Sequence, residues 1–515
     1  MSRSRRKSAA AAMAGIAAVV ALSAPAPGAG AAAPQPEPTP APQIRWSDDC
    51  PERPVPAGLR CGTLTVPIDH AAPAKGTLEL ALAKIPATGH HRRGSLLLNF
   101  GGPGAPGIAT LAGVSREFAD LAESYDLVAF DPRGVGHSQP VSCGGSLQPD
   151  ATGPDEPAPA GDAASQLAAL RAVAERCARN SGPVLPYVGT IHVARDLDLI
   201  RQALGEKKLD YLGFSYGTRI GAVYAAQFPQ RTGRMVLDGV DTLSEPLAEQ
   251  ALVSAKGQQQ ALDNFLSWCA HQEDCVYGTN TRTAKEKVDA LVTRLDAGPL
   301  IGQDGSDFTG QDAVGAISAA LYSKARWPGL NRGLGMAERE GDPAGLLEIG
   351  GPADPEPPDP ADPEPVPADN PEAALVAVNC ADDPDRGNDK ASPAVVEREI
   401  ESLEGEFRKV SRIFGPAQLM TVLACYGRPA GTDFIRKIDR PGAPRMLLVG
   451  TRGDPATPYQ WTEETARRLG SAVVLDYKGD GHTAYSSSAC VREWVNAFLV
   501  DGTLPNGTRS CPADE

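Results

Sequence analysis

Several things are scarce in this chain, and each shortage removes a class of function. Positive charge is in deficit: 49 Lys and Arg stand against 64 Asp and Glu, for a formal net charge of −15. Nucleic acids and anionic membrane surfaces both attract a basic face, so neither is an expected partner. No Cys-x-x-Cys or His-x-x-x-His cluster occurs, so neither a metal nor any other cofactor is expected. Past residue 24 no segment approaches the ~20 apolar residues of a membrane span, so the mature chain is expected to be soluble. No motif recurs at a fixed period, which sets repeat architectures aside.

What is present begins with an address. Met1 to Lys7 is strongly basic, and the stretch that follows is apolar and uncharged through about Ala24, the pattern of a secretory signal. Ala29-Gly30-Ala31 offers the small residues a signal peptidase reads, which places the signal at 1–31 and the mature start near Ala32. Arg5-Arg6 keeps a twin-arginine signal open as the alternative, although Ser8 and Ala9 stand where a bulky apolar residue is expected. The expected location is secreted, extracellular. Ten cysteines form an even set in such a compartment, and neighbours in sequence suggest local disulfides: Cys50 with Cys61, Cys143 with Cys177, Cys269 with Cys275, Cys380 with Cys425, and Cys490 with Cys511.

A Pro/Ala-rich linker at 32–49 precedes a folded body. From 50 to 240, short apolar runs at Thr63–Ile68, Leu78–Ile85, Leu96–Phe100, Leu127–Phe130, Tyr211–Phe214 and Met235–Leu237 alternate with helical patterns at Ala164–Asn180 and His192–Leu204. Near-continuous apolar strands between helices predict a doubly wound, mostly parallel sheet of α/β class. Two more strands, Arg445–Val449 and Ala472–Tyr477, bring the chain back to that sheet at 441–515. Between them, 241–440 reads as an inserted helical cap, with helices over Ala248–Cys269, Thr283–Leu295 and Val395–Gly415. The acidic, Pro-rich tract Gly351–Pro371 is expected to be a disordered loop, and Gln148–Gly161 a surface excursion.

Gly213-Phe214-Ser215-Tyr216-Gly217 follows one of these strands and precedes the helical run Thr218–Phe228. A serine is a weak nucleophile unless it stands clear of its backbone beside a base, and Gly-x-Ser-x-Gly provides the first condition through a tight strand-to-helix turn. Ser215 is therefore the candidate nucleophile and the expected fold is the α/β-hydrolase fold. A tetrahedral intermediate needs fixed N–H donors for its oxyanion. Tyr216 supplies one, and in Asn99-Phe100-Gly101-Gly102-Pro103-Gly104 the other is assigned to Gly102, since Pro103 has no N–H. In this fold the triad order is serine, acid, histidine. Of seven histidines only His271 and His482 follow Ser215. His271 is expected in a cap helix in a structural role, so His482, in Gly479-Asp480-Gly481-His482-Thr483, is the candidate base. Asp454 is the candidate acid, with Thr457 to orient it and Asp238 as runner-up. Asp131-Pro132-Arg133-Gly134-Val135-Gly136-His137-Ser138 is expected to brace loops, and Asn506-Gly507-Thr508 reads as a glycosylation acceptor or an ordinary turn.

Taken together, Asn99-Phe-Gly-Gly-Pro-Gly104, Asp131-x-Arg-Gly-x-Gly-x-Ser138, Gly213-Phe-Ser-Tyr-Gly-Thr218, Gly453-Asp-x-x-Thr-Pro458 and Gly481-His482 resemble the secreted tripeptidyl aminopeptidases of high-GC bacteria, relatives of prolyl aminopeptidase. The resemblance spans most of the mature chain. It implies release of short peptides, often tripeptides, from substrates with free N-termini, under a cap that shapes the subsites. The chain departs from the family at Ala105-Pro106-Gly107, where a serine more often precedes the last glycine, and at Phe100, where proline or histidine is usual. The acidic Pro-rich tract has no clear counterpart. A free ammonium calls for a carboxylate, and Asp382 or Asp383, beside Cys380, is the candidate. An esterase or lipase on the same fold, and a non-catalytic binding or cell-surface protein that keeps the fold, remain as alternatives. Aspartate nucleophiles of dehalogenases and epoxide hydrolases are excluded by Ser215, and the oligomeric state stays open.

Overall fold

A computed structural model describes residues 42–51, 55–145, 147, 163–350, 365–383, 393–435, 437–505 and 509–513. The signal segment, the Gln148–Gly161 excursion, residues 351–364 of the acidic tract and the Asn506–Thr508 sequon lie outside them.

The strands are β1 (Arg45–Ser47), β2 (Arg60–Pro67), β3 (Thr77–Ile85), β4 (Gly94–Asn99), β5 (Tyr125–Phe130), β6 (Leu209–Phe214), β7 (Thr232–Asp238), β8 (Leu300–Ile301), β9 (Asp307–Phe308), β10 (Met446–Gly453), β11 (Ala472–Asp480) and β12 (Arg509–Cys511). Ten of them form one sheet in the order β1-β2-β3-β5-β4-β6-β7-β10-β11-β12, antiparallel as far as β5 and parallel from there on. This is the α/β-hydrolase arrangement read from the sequence. Every residue of β4 and β5 is buried, because successive side chains point to opposite faces and both faces are covered by helices. Leu96, Leu98, Leu127, Leu212 and Val449 enter one apolar cluster. Their neighbours Leu97, Val128, Tyr211, Met235 and Leu448 enter the other.

The sheet reaches further at both ends than the apolar runs indicate. Within the expected linker, Arg45 pairs with Thr63 in β2, and Trp46 packs under the Lys84 ammonium at 4.5 Å from its ring. At the other end Cys511 pairs with Tyr477, and its disulfide to Cys490 ties β12 to the helix Ala489–Asp501. The remaining disulfides join Cys50 to Cys61, Cys143 to Cys177, Cys269 to Cys275 and Cys380 to Cys425.

Between β7 and β10 the chain builds helices Leu247–Cys269, Thr281–Ala297, Gly310–Leu321, Trp327–Arg339, Ala344–Gly350, Asn370–Asp382, Pro393–Val410 and Phe414–Leu423. Much of this insert packs on its own apolar cluster around Phe265, Leu291, Ile317, Trp327, Leu330 and Phe414, which contains no residue of the large sheet. The insert also carries the small hairpin β8–β9. Three expectations are corrected. The helix expected over Val395–Gly415 breaks at Ser411, whose Oγ accepts the Phe414 N–H at 3.0 Å and starts a new helix, so that Phe407 and Phe414 are both fully buried. His271 lies in the turn after a helix that ends at Cys269, exposed, with Nδ1 2.7 Å from the Ser267 carbonyl. The end of the acidic tract is ordered: Asp369 accepts the Cys143 N–H at 2.6 Å, and Asn370 accepts that of Gly136 at 2.9 Å, pinning the loop after β5.

Candidate active site

Parallel pairing brings the ends of β4, β6, β7, β10 and β11 to one edge of the sheet, the edge at which α/β proteins place ligands. Asn99 pairs with Gly213, Phe214 with Asp238, and Asp238 with Val449. Residues that follow these positions therefore meet one another, however distant in sequence.

Ser215 follows β6 with φ 53° and ψ −128°, a left-handed conformation that costs a residue other than glycine ~1–3 kcal/mol. The turn is held by the Ser215 N–H donating to the Asp238 carbonyl at 2.9 Å. The Ser215 carbonyl accepts the Thr218 N–H at 2.8 Å and its hydroxyl at 2.6 Å. The flanking glycines are required by close approach. A Cβ on Gly213 would stand 2.7 Å from the Gly217 carbonyl oxygen, and one on Gly217 would stand 2.5 Å from Asn99 Oδ1. Tyr216 opens the helix Tyr216–Gln227, so its N–H is among those with no partner inside the helix. Its phenol contacts the Thr190 hydroxyl at 2.7 Å in the buried interior.

The loop after β4 lies against this turn. A Cβ on Gly101 would come within 2.8 Å of Ser215 Cβ. The Gly101 N–H is already given to Asn99 Oδ1 at 3.1 Å, and Pro103 has none, which leaves the N–H of Gly102, at φ 100°, for a ligand. Asp131 anchors the same region by accepting the N–H of Ile108 at 3.0 Å and of His137 at 2.9 Å. Arg133 is fully buried, 2.7 Å from Asp196 and from the Ile68 carbonyl. The Asp131–Ser138 segment thus braces loops.

Asp454 and His482 meet on the loops after β10 and β11. His482 Nδ1 lies 2.9 Å from Asp454 Oδ1 and 3.0 Å from Oδ2. Asp454 also accepts the N–H groups of Ala456 and Thr457, both at 2.8 Å, and the Thr457 hydroxyl at 3.0 Å. Burial alone lowers the His482 pKa, but the facing Asp454 carboxylate outweighs it and holds the imidazole above its ordinary value. A cavity of ≈ 480 Å³ is lined by Ser215, His482, Gly102 and Tyr322, with Phe100, Phe118 and Phe214 among its walls.

Two contributors to this site were not read from the sequence. Gly239, after β7, has φ +67°, and a Cβ there would lie 3.3 Å from His482 Cε1 and 2.9 Å from Thr483 Cγ2; a glycine just beyond a strand end was the available signal. Tyr322 reaches the site from the insert. Its carbonyl accepts the His482 N–H at 2.9 Å and its ring meets the imidazole edge-on at 5.0 Å. Asp238, the runner-up for the acid, plays a different part. Its carboxylate does not bond the imidazole; it accepts the N–H of Ala484 at 3.0 Å and of Tyr485 at 2.8 Å, just past His482, and burial pushes its pKa up to about 6.

Asp382 and Asp383 point elsewhere. Asp382 accepts the Thr190 N–H at 2.7 Å and lies 3.8 Å from Arg219, with burial raising its pKa. Asp383 accepts the Leu247 N–H at 3.1 Å. Both are buried on internal donors, and neither is among the side chains lining the cavity beside Ser215.

The sequence has counterparts. A family model described as "TAP-like protein" matches residues 411–511, and one described as "alpha/beta hydrolase fold" matches residues 95–330. The chain is 34% identical over 481 residues to "Serine protease Hip1" of Mycobacterium tuberculosis, spanning 90% of this chain and 89% of that one. It is 33% identical over 461 residues to "Carboxylesterase B" of the same species, spanning 88% and 86%. It is 30% identical over 477 residues to "Tripeptidyl aminopeptidase" of Streptomyces lividans, spanning 89% and 84%.

Proposed function

Since this chain belongs to the tripeptidyl-aminopeptidase-like family of α/β-hydrolases, we propose that it is an exported serine exopeptidase that releases short peptides, tripeptides foremost, from free N-termini. It is a serine peptidase of that fold. The observation that carries the reading is the bond between His482 Nδ1 and Asp454, with His482 lining the same cavity as Ser215.

In this reading Ser215 Oγ attacks the peptide carbonyl while His482 Nε2 takes its proton. Asp454 holds the Nδ1–H tautomer and stabilises the imidazolium. The N–H groups of Tyr216 and Gly102 receive the oxyanion, where each well-placed donor contributes ~3–4 kcal/mol. His482 then protonates the leaving amine, and water, deprotonated by the same imidazole, releases the peptide from the serine ester. Five disulfides support export to an oxidising compartment.

The test is a profile of products released from a peptide library presented with free and with acetylated N-termini. Tripeptide products from the free set alone are expected, and turnover of acetylated peptides at equal rates refutes the exopeptidase reading. One observation favours a second reading, an esterase: the relative named Carboxylesterase B. Hydrolysis of short-chain p-nitrophenyl esters with no release from any peptide would decide for it.

A further inference from the structure

The cavity beside Ser215 has a chemical asymmetry that the proposed reaction does not use. Its walls are largely aromatic and aliphatic: Phe100 and Phe214 stack at 6.0 Å, and Phe118 packs on both at 6.1 Å. Against these walls stands Glu117, the single carboxylate among the lining residues. Its position is fixed from below, because Phe118, the next residue, is buried and stacks on Tyr485 at 5.4 Å. One carboxylate oxygen accepts the hydroxyl of Ser486, four residues past His482. Glu117 itself is exposed, and among the described residues no Lys or Arg is paired with it. An ionised carboxylate offers about four acceptor sites, so the bond to Ser486 leaves acceptor capacity for a ligand.

We infer that Glu117 is a specificity-determining residue that receives an alkylammonium group of the substrate in the cavity beside Ser215, with Ser486 orienting its carboxylate. The inference rests on the peptide-cleaving reading and names the device that makes a charged amine an asset. A cation at this spot meets a single negative charge with apolar walls on the far side, which focus the field, whereas an acetylated or uncharged group meets only the walls. Two parts of a peptide carry this chemistry, the α-ammonium and a lysine side chain.

The experiment uses the full chain and two assays. In the first, wild type and Glu117→Gln, which keeps the bond to Ser486, hydrolyse tripeptidyl fluorogenic substrates with free or acetylated N-termini, and with lysine or norleucine on either side of the scissile bond. Glu117→Gln is expected to raise KM ~10-fold for the substrate that carries the recognised ammonium, with kcat nearly unchanged and the neutral partner substrate unaffected. Loss on the free-amine pair assigns the α-ammonium, and loss on the lysine pair assigns the side chain.

In the second assay, trialanine amide and its acetylated form inhibit hydrolysis of p-nitrophenyl butyrate, which reads ammonium binding without peptide cleavage. Weaker inhibition by the free amine in Glu117→Gln, with no peptide turnover by wild type, would sustain the site while overturning the peptidase reading. Equal effects of the substitution on charged and neutral ligands in both assays, or indifference of wild type to the charge, would overturn the site.

Discussion

The sheet and its insert solve the same packing problem in different ways. In the sheet each side chain's surroundings follow from register. Leu97 and Leu98 are neighbours in β4 yet belong to opposite apolar layers, and the loops that carry Ser215, Asp454 and His482 leave from paired strands at one edge. In the insert, most helices meet through a cluster of their own, only Asn370–Asp382 packing into a layer of the sheet, and contact with the site is made at a few points. Tyr322 sits over His482, Asn264 donates to Asp480 at 2.7 Å, and a Cβ on Gly257 would lie 2.6 Å from Pro458. The sheet places the reacting groups, and the insert shapes what surrounds them. A polypeptide can therefore vary the second without moving the first.

That division can be broken experimentally, beginning with the sheet edge. Ser215→Ala is expected to reduce kcat by ~10⁶-fold and to abolish labelling by a fluorophosphonate, with little change in Tm. Residual labelling would mean another nucleophile. Asp454→Asn should lower kcat by ~10⁴-fold while leaving the fold intact. It also changes the pH profile. The base must be neutral, and Asp454 holds the His482 pKa above its ordinary value, so wild-type kcat/KM should climb as pH rises through that raised value. In Asp454→Asn the acid limb should move to lower pH. An unmoved limb would make Asp238 the group that tunes the imidazole.

Trp327→Ala tests the insert. Trp327 is 1% exposed in the insert's cluster, and the truncation should cost ~3–5 kcal/mol, read by chemical denaturation. Because that cluster holds no residue of the large sheet, labelling of Ser215 should persist where peptide turnover has weakened. Parallel loss of both would show that the two regions are one cooperative unit. A smaller effect is expected where they meet. Gly239→Ala, at φ +67° and crowded by Thr483, should displace His482 and lower kcat by up to ~100-fold, with KM for small esters unchanged.

The strands were legible because short apolar runs leave few alternatives once helices alternate with them. The turn at Ser215 was legible because Gly213 and Gly217 are demanded within five residues of one another. The helix break at Ser411 was not, since Ser411 and Gly415 do not interrupt the apolar period; only the need to bury both Phe407 and Phe414 turns the chain there. Asp382 and Asp383 illustrate the same limit. Two adjacent acids in an aminopeptidase-like chain invite a role with the substrate, yet folding aims one at Thr190 and the other at Leu247.

The sequence by itself determined the sheet and the tight turn at Ser215, because each rests on steric and apolar patterns within a few residues. The tertiary structure decided which carboxylate meets the imidazole. Asp238 ends β7 and Asp454 follows β10, strands that pair side by side, and of the two only Asp454 stands in the Gly453-Asp-x-x-Thr-Pro458 stretch. The difference arises where the loop after β11 folds back, setting Nδ1 of His482 against Asp454 and the N–H groups of Ala484 and Tyr485 against Asp238. Tertiary structure likewise brought Glu117 to the Ser215 cavity, since contacts between residues this far apart are fixed by strand register and side-chain packing, which no stretch of sequence contains.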